Sequence, residues 1–177
     1  MKVNNVVIAG IVEQDKYSHN AHDLDFRELI IGCKRNSGVK DLIKVIYQEK
    51  TKQFNEGEKV SVYGTIRSRR EGKVLQLYVY ADEIEKYEGQ DVNEVIIEGY
   101  ICSDPYYKEL KNRRLTQFLI CSENNRKVYG SILIWKRTGL QMGNRIIVCG
   151  RLQSRNYKKE NGEKMVHEIS AYKVEKC

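Results

Sequence analysis

The chain has 177 residues, of which 41% are hydrophobic, and its 31 lysines and arginines exceed its 24 aspartates and glutamates. This length allows one medium domain or two small ones, and a single proline argues against a disordered or collagen-like chain. No apolar run approaches the roughly 20 residues of a membrane span, and the N-terminus lacks the apolar stretch of a signal peptide. We therefore expect a soluble, intracellular protein with no membrane segment.

The cysteines and histidines do not predict a metal site or a disulfide framework. The five cysteines form no CxxC pair and have no zinc-like spacing to histidine; they are Cys33, Cys102, Cys121, Cys149 and Cys177. An odd number of cysteines fits a reducing compartment, where a free thiol packs as a small hydrophobe. Phosphate-cradling glycine loops and the common hydrolase motifs are also missing. We expect no catalytic residue, no metal and no cofactor.

Three sequence blocks of the first half recur in the same order in the second half. They are NNVVIAGIV (4–12) with NEVIIEGYI (93–101), EGEKVSVYGTIRSR (56–69) with MGNRIIVCGRLQSR (142–155), and EGKVLQLYVYADEIE (71–85) with NGEKMVHEISAYKVE (161–175). Matched blocks in one order indicate two copies of one domain. We predict domains at 1–88 and 93–177, joined near KYEGQDVN (86–93).

The first copy begins with a strand and then HNAHDLD (19–25), which we interpret as a long loop rather than a metal site. Its segment DLIKVIY (41–47) aligns with the second copy so that Leu42 and Gln48 replace two aromatic residues, Tyr129 and Trp135. Its later hairpin is shortened to RREGK (69–73) and carries no aromatic residue. Residues 1–92 hold 15 basic and 15 acidic residues, so we interpret this copy as degenerate, with a role in structure or oligomerisation.

The second copy carries the whole positive excess, with 16 basic and 9 acidic residues in 93–177. Its β-branched and aromatic runs predict five strands, at 94–101, 115–121, 129–135, 145–155 and 164–174. Between them, PYYKELKNRR (105–114) is predicted as a loop and KRTGLQMG (136–143) as at most one helical turn. Five short strands in about 85 residues predict an all-β fold, a five-stranded Greek-key barrel in each copy.

Alternation along two strands separates an inner from an outer face. In YGSILIW (129–135), Ile132 and Ile134 take one face, while Tyr129 and Trp135 take the other. In GRLQSRNY (150–157), the outward positions are Arg151, Gln153, Arg155 and Tyr157. Aromatic rings beside guanidinium groups are the composition that stacks unpaired bases and neutralises the phosphates between them.

At these segments the chain resembles the bacterial single-stranded DNA-binding protein family. The resemblance lies in NEVIIEGYICSDPYY, QFLICSE, YGSILIWKR and, most strongly, MGNRIIVCGRLQSRNYKKENGEKMVHEISA. It implies two tandem OB-folds and non-sequence-specific binding of single-stranded DNA. It also implies base stacking on Tyr129, Trp135 and Tyr157, with Arg155 as a basic neighbour. The flexible acidic tail of that family has no counterpart after YKVEKC, which favours an accessory protein.

The candidate nucleic-acid-binding residues are aromatic, basic or amide side chains of the second copy. They are Tyr129, Trp135, Tyr157, Arg151, Gln153, Arg155, Lys136, Arg137, Lys158, Lys159, Lys164, Arg113 and Arg114. Each has a competing interpretation. Trp135 is alternatively a core residue, Arg151 and Arg155 alternatively pair with Glu168, and the three lysines alternatively form only a solvated hairpin tip.

The sequence thus predicts a non-enzymatic protein of DNA replication, recombination or repair, located in the bacterial cytoplasm or nucleoid. The expected partners are single-stranded DNA, a second copy of the chain that completes a set of four barrels, and replication proteins. Single-stranded RNA is the alternative polymer, since barrels of this type stack either one. The alternative function is a primosome-type accessory or protein-interaction module with weak nucleic-acid binding.

Overall fold

The computed structural model describes residues 3–50, 52–124, 126–160 and 162–177, with the backbone alone for Tyr157 and Lys159. These residues form eleven β-strands and no helix, so no helix there could span a membrane. The strands are β1 (Asn4–Ala21), β2 (Leu24–Lys34), β3 (Lys40–Gln48), β4 (Lys59–Glu71), β5 (Val74–Lys86), β6 (Val92–Ile101), β7 (Tyr106–Leu110), β8 (Arg113–Asn124), β9 (Arg126–Ile134), β10 (Arg145–Lys159) and β11 (Gly162–Lys176).

The strands close into two five-stranded barrels, as the sequence predicted. The first barrel runs β2-β3-β5-β4-β1 and closes by β1–β2 pairing. The second runs β6-β10-β11-β9-β8 and closes by β6–β8 pairing, with β7 added at the edge of β8. In each barrel one pair is parallel, β3 with β5 and β9 with β11. This is OB-fold topology, and the all-β prediction of tandem OB-folds is confirmed.

Alternating side chains fill the two barrel cores. On β4, Val60, Val62 and Ile66 are fully buried, and on β10 the equivalent residues Ile146, Val148 and Leu152 are fully buried. The repeated glycines, Gly64 and Gly150, follow a register shift in each strand. A Cβ at either glycine would overlap a backbone carbonyl of the facing strand, that of Tyr80 or Ser170. The repeated glycine therefore marks the close backbone approach that bends each barrel.

Two segments predicted as loops are hairpins. Residues 105–114 contain β7 and the start of β8, joined by a tight turn at Lys111 and Asn112. In the first barrel, β1 and β2 are long strands joined by His22 and Asp23, both with positive φ (51° and 61°). A two-residue turn with two positive φ values is the type I′ geometry of tight hairpins. The loop interpretation was wrong in both places because polar composition alone does not exclude strand pairing.

The two barrels are related by an internal pseudo-two-fold axis. Strands β1 and β6 pair antiparallel, with Val6 opposite Val95, its repeat equivalent. On either side, Asn4 faces Ile97 while Ile8 faces Asn93, so equivalent residues exchange places. The sheet therefore continues from one barrel into the other.

Reciprocal hydrogen bonds join the barrels a second time. The Leu42 N–H donates to the Ser154 hydroxyl, and the Tyr129 N–H donates to the Ser68 hydroxyl, both at 2.9 Å. Ser68 and Ser154 are repeat equivalents, as are Leu42 and Tyr129. Strand β10 consequently lies against β3 of the first barrel, which constrains what its side chains can reach.

Candidate nucleic-acid interface

Trp135 lies in an exposed, strongly basic cleft of about 720 Å³. The residue directly follows β9 and is 46% exposed, so it is not a core residue. The Arg113 guanidinium carbon lies 5.5 Å from the Trp135 ring centroid. The other residues that line the cleft are Glu109, Lys111, Asn112, Arg114, Lys136 and Arg137. Five cations and one carboxylate thus surround one exposed indole ring.

The β7–β8 hairpin places these groups together. Pairing of Thr116 with Ile134 sets the first residues of β8 beside the last residue of β9. The Thr116 hydroxyl donates to the Lys136 carbonyl at 2.7 Å and fixes the chain just after Trp135. Sequence reasoning named Arg113, Arg114, Lys136 and Arg137 individually, and Lys111 only as one of the four basic residues of PYYKELKNRR (105–114).

The tyrosines of the hairpin extend the aromatic character of this region. The Arg137 guanidinium carbon lies 5.2 Å from the Tyr107 ring centroid, and Tyr106 is highly exposed. The sequence could not choose between these two residues because both lie in one polar run. Alternation along β7 separates them, since neighbouring strand residues point to opposite faces.

Tyr129 lies near the middle of β9 and is half-buried beside the first barrel. Its backbone is held by Ser68, and the Lys127 ammonium lies 5.7 Å from its ring centroid. A hydrogen bond with Tyr129 raises the pKa of Lys127 and so favours its charged form. By alternation Tyr129 and Trp135 take the same face, and residues 130–134 separate them along the chain.

Strand β10 does not present a uniformly open strip. Arg151 is half-buried and lines a cavity of about 410 Å³ with Arg35 and Asp41 of the first barrel. Burial lowers the pKa of Arg151, and its Nε has no hydrogen-bond partner in the described part of the chain. Arg151 was predicted as an outward-facing contact with DNA; its guanidinium lies beside the first barrel rather than fully open to solvent.

The next two outward-facing residues of β10, Gln153 and Arg155, contact the buried carboxylate of Glu168. The Gln153 amide donates to Glu168 at 3.0 Å, and the Arg155 Nε lies 3.4 Å from the same carboxylate. The alternative that named Glu168 therefore describes Arg155, although its side chain remains 55% exposed. Arg155 keeps solvent access for a phosphate, whereas Gln153 is half-buried.

The β10–β11 hairpin reaches the first barrel at its tip. The Lys164 ammonium lies 2.7 Å from the Glu71 carboxylate at the tip of the β4–β5 hairpin, and it lowers the pKa of that carboxyl. Lys158 is exposed. The backbones of Tyr157 and Lys159 pair with Lys164 and Gly162, but the side chains of both lie outside the described part.

The first barrel carries an aromatic cluster that sequence reasoning missed. The Arg67 guanidinium carbon lies 3.4 Å from the Tyr80 ring centroid, Phe26 lies against Tyr80, and His19 stacks on Phe26. These residues come from four strands, β1, β2, β4 and β5, so no contiguous motif marks them. For the described residues, no group of His, Cys, Asp or Glu is arranged to hold a metal.

Comparison with known proteins identifies the second barrel. Residues 92–177 match the model of the single-strand binding protein family. No curated protein matches the chain. Among solved structures, wild-type single-stranded DNA binding protein from Thermus aquaticus is 18% identical, with a TM-score of 0.82 over 99% of this chain and 93% of that chain. A deletion mutant of the same protein is 17% identical, with a TM-score of 0.82 over 99% and 95%.

The family match covers the barrel that contains the Trp135 cleft, and the structural matches show the same two-barrel fold. The resemblance to the single-strand binding protein family that was noted in the sequence is confirmed for residues 92–177, and the whole chain shares the fold of the Thermus aquaticus protein. Proteins of this family bind DNA and are not enzymes, which agrees with the non-enzymatic prediction.

Proposed function

We propose that this protein binds single-stranded DNA without sequence preference, with the Trp135 cleft as the principal contact surface. The observation that carries the proposal is the exposed indole of Trp135, with Arg113 near its ring and four further cations in the same cleft. The positive excess of residues 93–177 supports the same assignment. An unpaired base has an exposed π-face, and duplex DNA does not, so such a site favours single strands.

Binding would combine stacking with phosphate neutralisation. A base that stacks on Trp135 contributes about 1–3 kcal/mol, and its flanking phosphates are within reach of Arg113, Lys136 and Arg137. Arg155 and Lys158 extend the basic surface on the hairpin, with Tyr157, Lys159 and Lys164 as further predicted contacts. Each phosphate contact contributes a slope of about −0.7 to the dependence of log affinity on log salt.

The two barrels would have different roles. We assign residues 93–177 to the main contact with DNA, and residues 1–88 to the sheet that joins the barrels. Such a protein would act in replication, recombination or repair in the bacterial cytoplasm or nucleoid, in contact with other replication proteins.

We further propose a homodimer that provides four barrels. The support is an exposed apolar and aromatic face on the sheet that crosses the pseudo-two-fold axis, formed by Ile11 on β1, Tyr63 on β4, Ile96 and Tyr100 on β6, and Tyr172 on β11. Apolar patches of this kind mark protein contacts. Two copies packed face to face would cover both patches and leave the Trp135 clefts exposed.

The experiment that tests DNA binding follows the fluorescence of Trp135, the only tryptophan. Oligo-dT is titrated at low and high salt, with duplex DNA of equal length and oligo-U in parallel. Salt-sensitive quenching by oligo-dT but not by duplex supports the proposal. Stronger quenching by oligo-U identifies RNA as the ligand instead. The absence of quenching, together with no shift of oligo-dT on a sizing column, overturns the proposal and points to a protein partner.

A further inference from the structure

The first barrel contains a pocket of about 250 Å³ at the end of β3, away from the Trp135 cleft. Its apolar walls are the side chains of Tyr47, Phe54, Tyr80 and Ile84. This volume is just below the roughly 300–1,000 Å³ of sites for drug-sized ligands, so it suits one small planar group. Three of the four walls are aromatic, which favours a flat π-system.

One buried carboxylate organises two of these walls. The Asp15 side chain accepts hydrogen bonds from the Tyr47 hydroxyl at 2.9 Å and from the Phe54 N–H at 2.8 Å. Its other oxygen accepts from the Arg27 Nε at 2.9 Å. The Tyr47 and Phe54 rings meet edge to face at 5.6 Å. The pocket is therefore built by fixed contacts rather than left between mobile loops.

The third aromatic wall is braced from outside the pocket. Arg67 lies against the Tyr80 ring, and Phe26 contacts the same ring at 6.4 Å between centroids. Neither Arg67 nor Phe26 lines the pocket. The Tyr80 ring is thus held in place by side chains that leave the pocket itself open.

Polar side chains at the pocket have unused hydrogen-bonding and charge capacity. Gln48, Lys50, Lys52 and Asp82 also line it. In the described part of the chain, none of these four side chains has a hydrogen bond or ion pair with another side chain. An amide both donates and accepts, a carboxylate accepts, and two ammonium groups attract a phosphate. These are the groups that recognise a base edge and its phosphate.

The position of the pocket relates it to the Trp135 cleft. Gln48 pairs with Phe26 on β2, and Ile46 pairs with Tyr80 on β5. In the repeat, Gln48 is the equivalent of Trp135. The second barrel exposes the Trp135 ring at this position. The first barrel instead has Gln48 there, with aromatic rings on the two strands that pair with β3, Phe26 on β2 and Tyr80 on β5.

We propose that this pocket binds one unstacked nucleotide of a single strand, with the base between Tyr47, Phe54 and Tyr80. Gln48 and Asp82 would contact the base edge, and Lys50 and Lys52 the phosphate. The inference rests on the proposed function and changes the interpretation of the first barrel. That barrel has no aromatic residue at the β3 positions equivalent to Tyr129 and Trp135 or in its hairpin segment RREGK (69–73), but it has a separate place for a base.

The test is photo-crosslinking of the full chain to oligo-dT that contains 4-thiothymidine, with the crosslinked peptides identified by mass spectrometry. We expect crosslinks at Tyr47, Phe54 or Tyr80 in addition to those at the Trp135 cleft. At about 0.1 M salt, the double variant Lys50→Ala/Lys52→Ala should lower the crosslink yield in the first barrel about fivefold or more, because a slope of about −0.7 makes one phosphate contact worth about that factor relative to about 1 M salt. The matched control is Lys34→Ala/Lys86→Ala, which removes two exposed lysines of the same barrel outside the pocket.

The outcomes separate this inference from the proposed function. Crosslinks confined to the second barrel, or an equal yield for the two double variants, overturn the pocket and leave the Trp135 cleft intact. No retention of oligo-dT by the unmodified chain overturns both. Loss of first-barrel crosslinks in the pocket variant alone, with those at the Trp135 cleft unchanged, supports the inference.

Discussion

At the scale of single residues, Trp135 combines an exposed ring with a position outside either core. Trp135→Ala should weaken oligo-dT binding by about 1–3 kcal/mol, the contribution of one stacked base, because among the described side chains no other aromatic ring lines the cleft. Thermal stability should stay close to that of the unmodified protein, since the ring is half-exposed and follows the end of β9. Anisotropy of a labelled oligonucleotide measures the first quantity and circular dichroism the second.

The control for this substitution is Tyr17→Ala, which removes another exposed aromatic ring, on β1 of the first barrel. Its affinity for oligo-dT should match that of the unmodified chain. If Trp135→Ala instead melts the second barrel, the ring belongs to the core. That result would contradict the assignment of its face.

Alternation along β9 predicted the exposure of Trp135 correctly, whereas along β10 it did not show that Arg151 lies beside the first barrel. A period of two separates the faces of one strand, but it cannot show what covers a face. Arg151 is half-buried and lines a cavity together with Arg35 and Asp41 of the other barrel. Gln153 was predicted as a DNA contact and is bonded to Glu168 on the neighbouring strand.

At the scale of elements, the contact between β10 and β3 depends on a serine hydroxyl. Ser154→Ala removes the acceptor of the partly buried Leu42 N–H and should lower the free energy of unfolding by about 1 kcal/mol. Urea denaturation followed by circular dichroism measures the change. The matched control is Ser61→Ala on β4, a half-buried serine with no side-chain hydrogen bond in the described part of the chain. Equal stabilities for the two variants would show that the hydroxyl contributes nothing to the junction.

The junction also predicts a pH dependence through His167 on β11. This buried side chain donates from Nε2 to the Leu42 carbonyl at 2.7 Å, which leaves Nδ1 buried without a partner. Burial lowers the pKa of His167, and Lys44 lowers it further, against opposing contributions from the Leu42 carbonyl, Asp41 and Glu28. The unfolded chain therefore takes up a proton near its ordinary value of about 6.5, where the folded protein does not.

The contribution of the neutral, buried His167 to the free energy of unfolding is therefore complete above about pH 6.5. It is lost as the pH falls through that value towards the lowered pKa of His167 in the folded protein. Urea denaturation at about pH 7.5 and 5.5 measures the loss. His167→Leu, which restores the residue type of Leu77 at the equivalent position, should show a smaller fall than the unmodified chain. His19→Gln, at an exposed histidine, should retain the full fall. A fall of equal size in all three proteins would remove His167 as the cause.

Strands with clear apolar alternation were predictable as elements, and charged hairpins were not. The β9 and β10 cores follow from alternating isoleucine, valine and leucine. Strand β7, in contrast, contains two tyrosines, a lysine, a glutamate and a leucine with no buried face. It exists because it pairs with β8, and that partner is not visible in its own residues.

At the scale of the whole molecule, the sequence repeat predicted two copies of one barrel but not how they meet. The pseudo-two-fold axis between Val6 and Val95 places the outer sides of β1 and β6 in one continuous sheet. The aromatic cluster and the pocket of the first barrel also required the structure, because their residues are widely separated along the chain. Equivalent positions of the two copies do not reveal these aromatic residues, because Phe26 and Tyr80 lie on the strands next to β3 rather than at the positions equivalent to Tyr129 and Trp135.

The continuous sheet leads to the last prediction, on assembly. Ile96 is 41% exposed near the centre of the apolar face. In the proposed homodimer it would be buried against a second copy, and Ile96→Glu would place a charge without a partner in that interface. Sedimentation equilibrium should then give the mass of a dimer for the unmodified chain and 20.7 kDa, the mass of one chain, for the variant.

Met142→Glu is the matched control, because Met142 is an exposed apolar residue in the segment before β10, on neither β1 nor β6. This variant should remain dimeric. Since the Trp135 cleft lies outside the apolar face, oligo-dT should still quench the Trp135 fluorescence of the Ile96→Glu variant. The number of nucleotides bound per complex should fall by half. A monomeric unmodified chain would exclude the homodimer and leave the contact with DNA to two barrels rather than four.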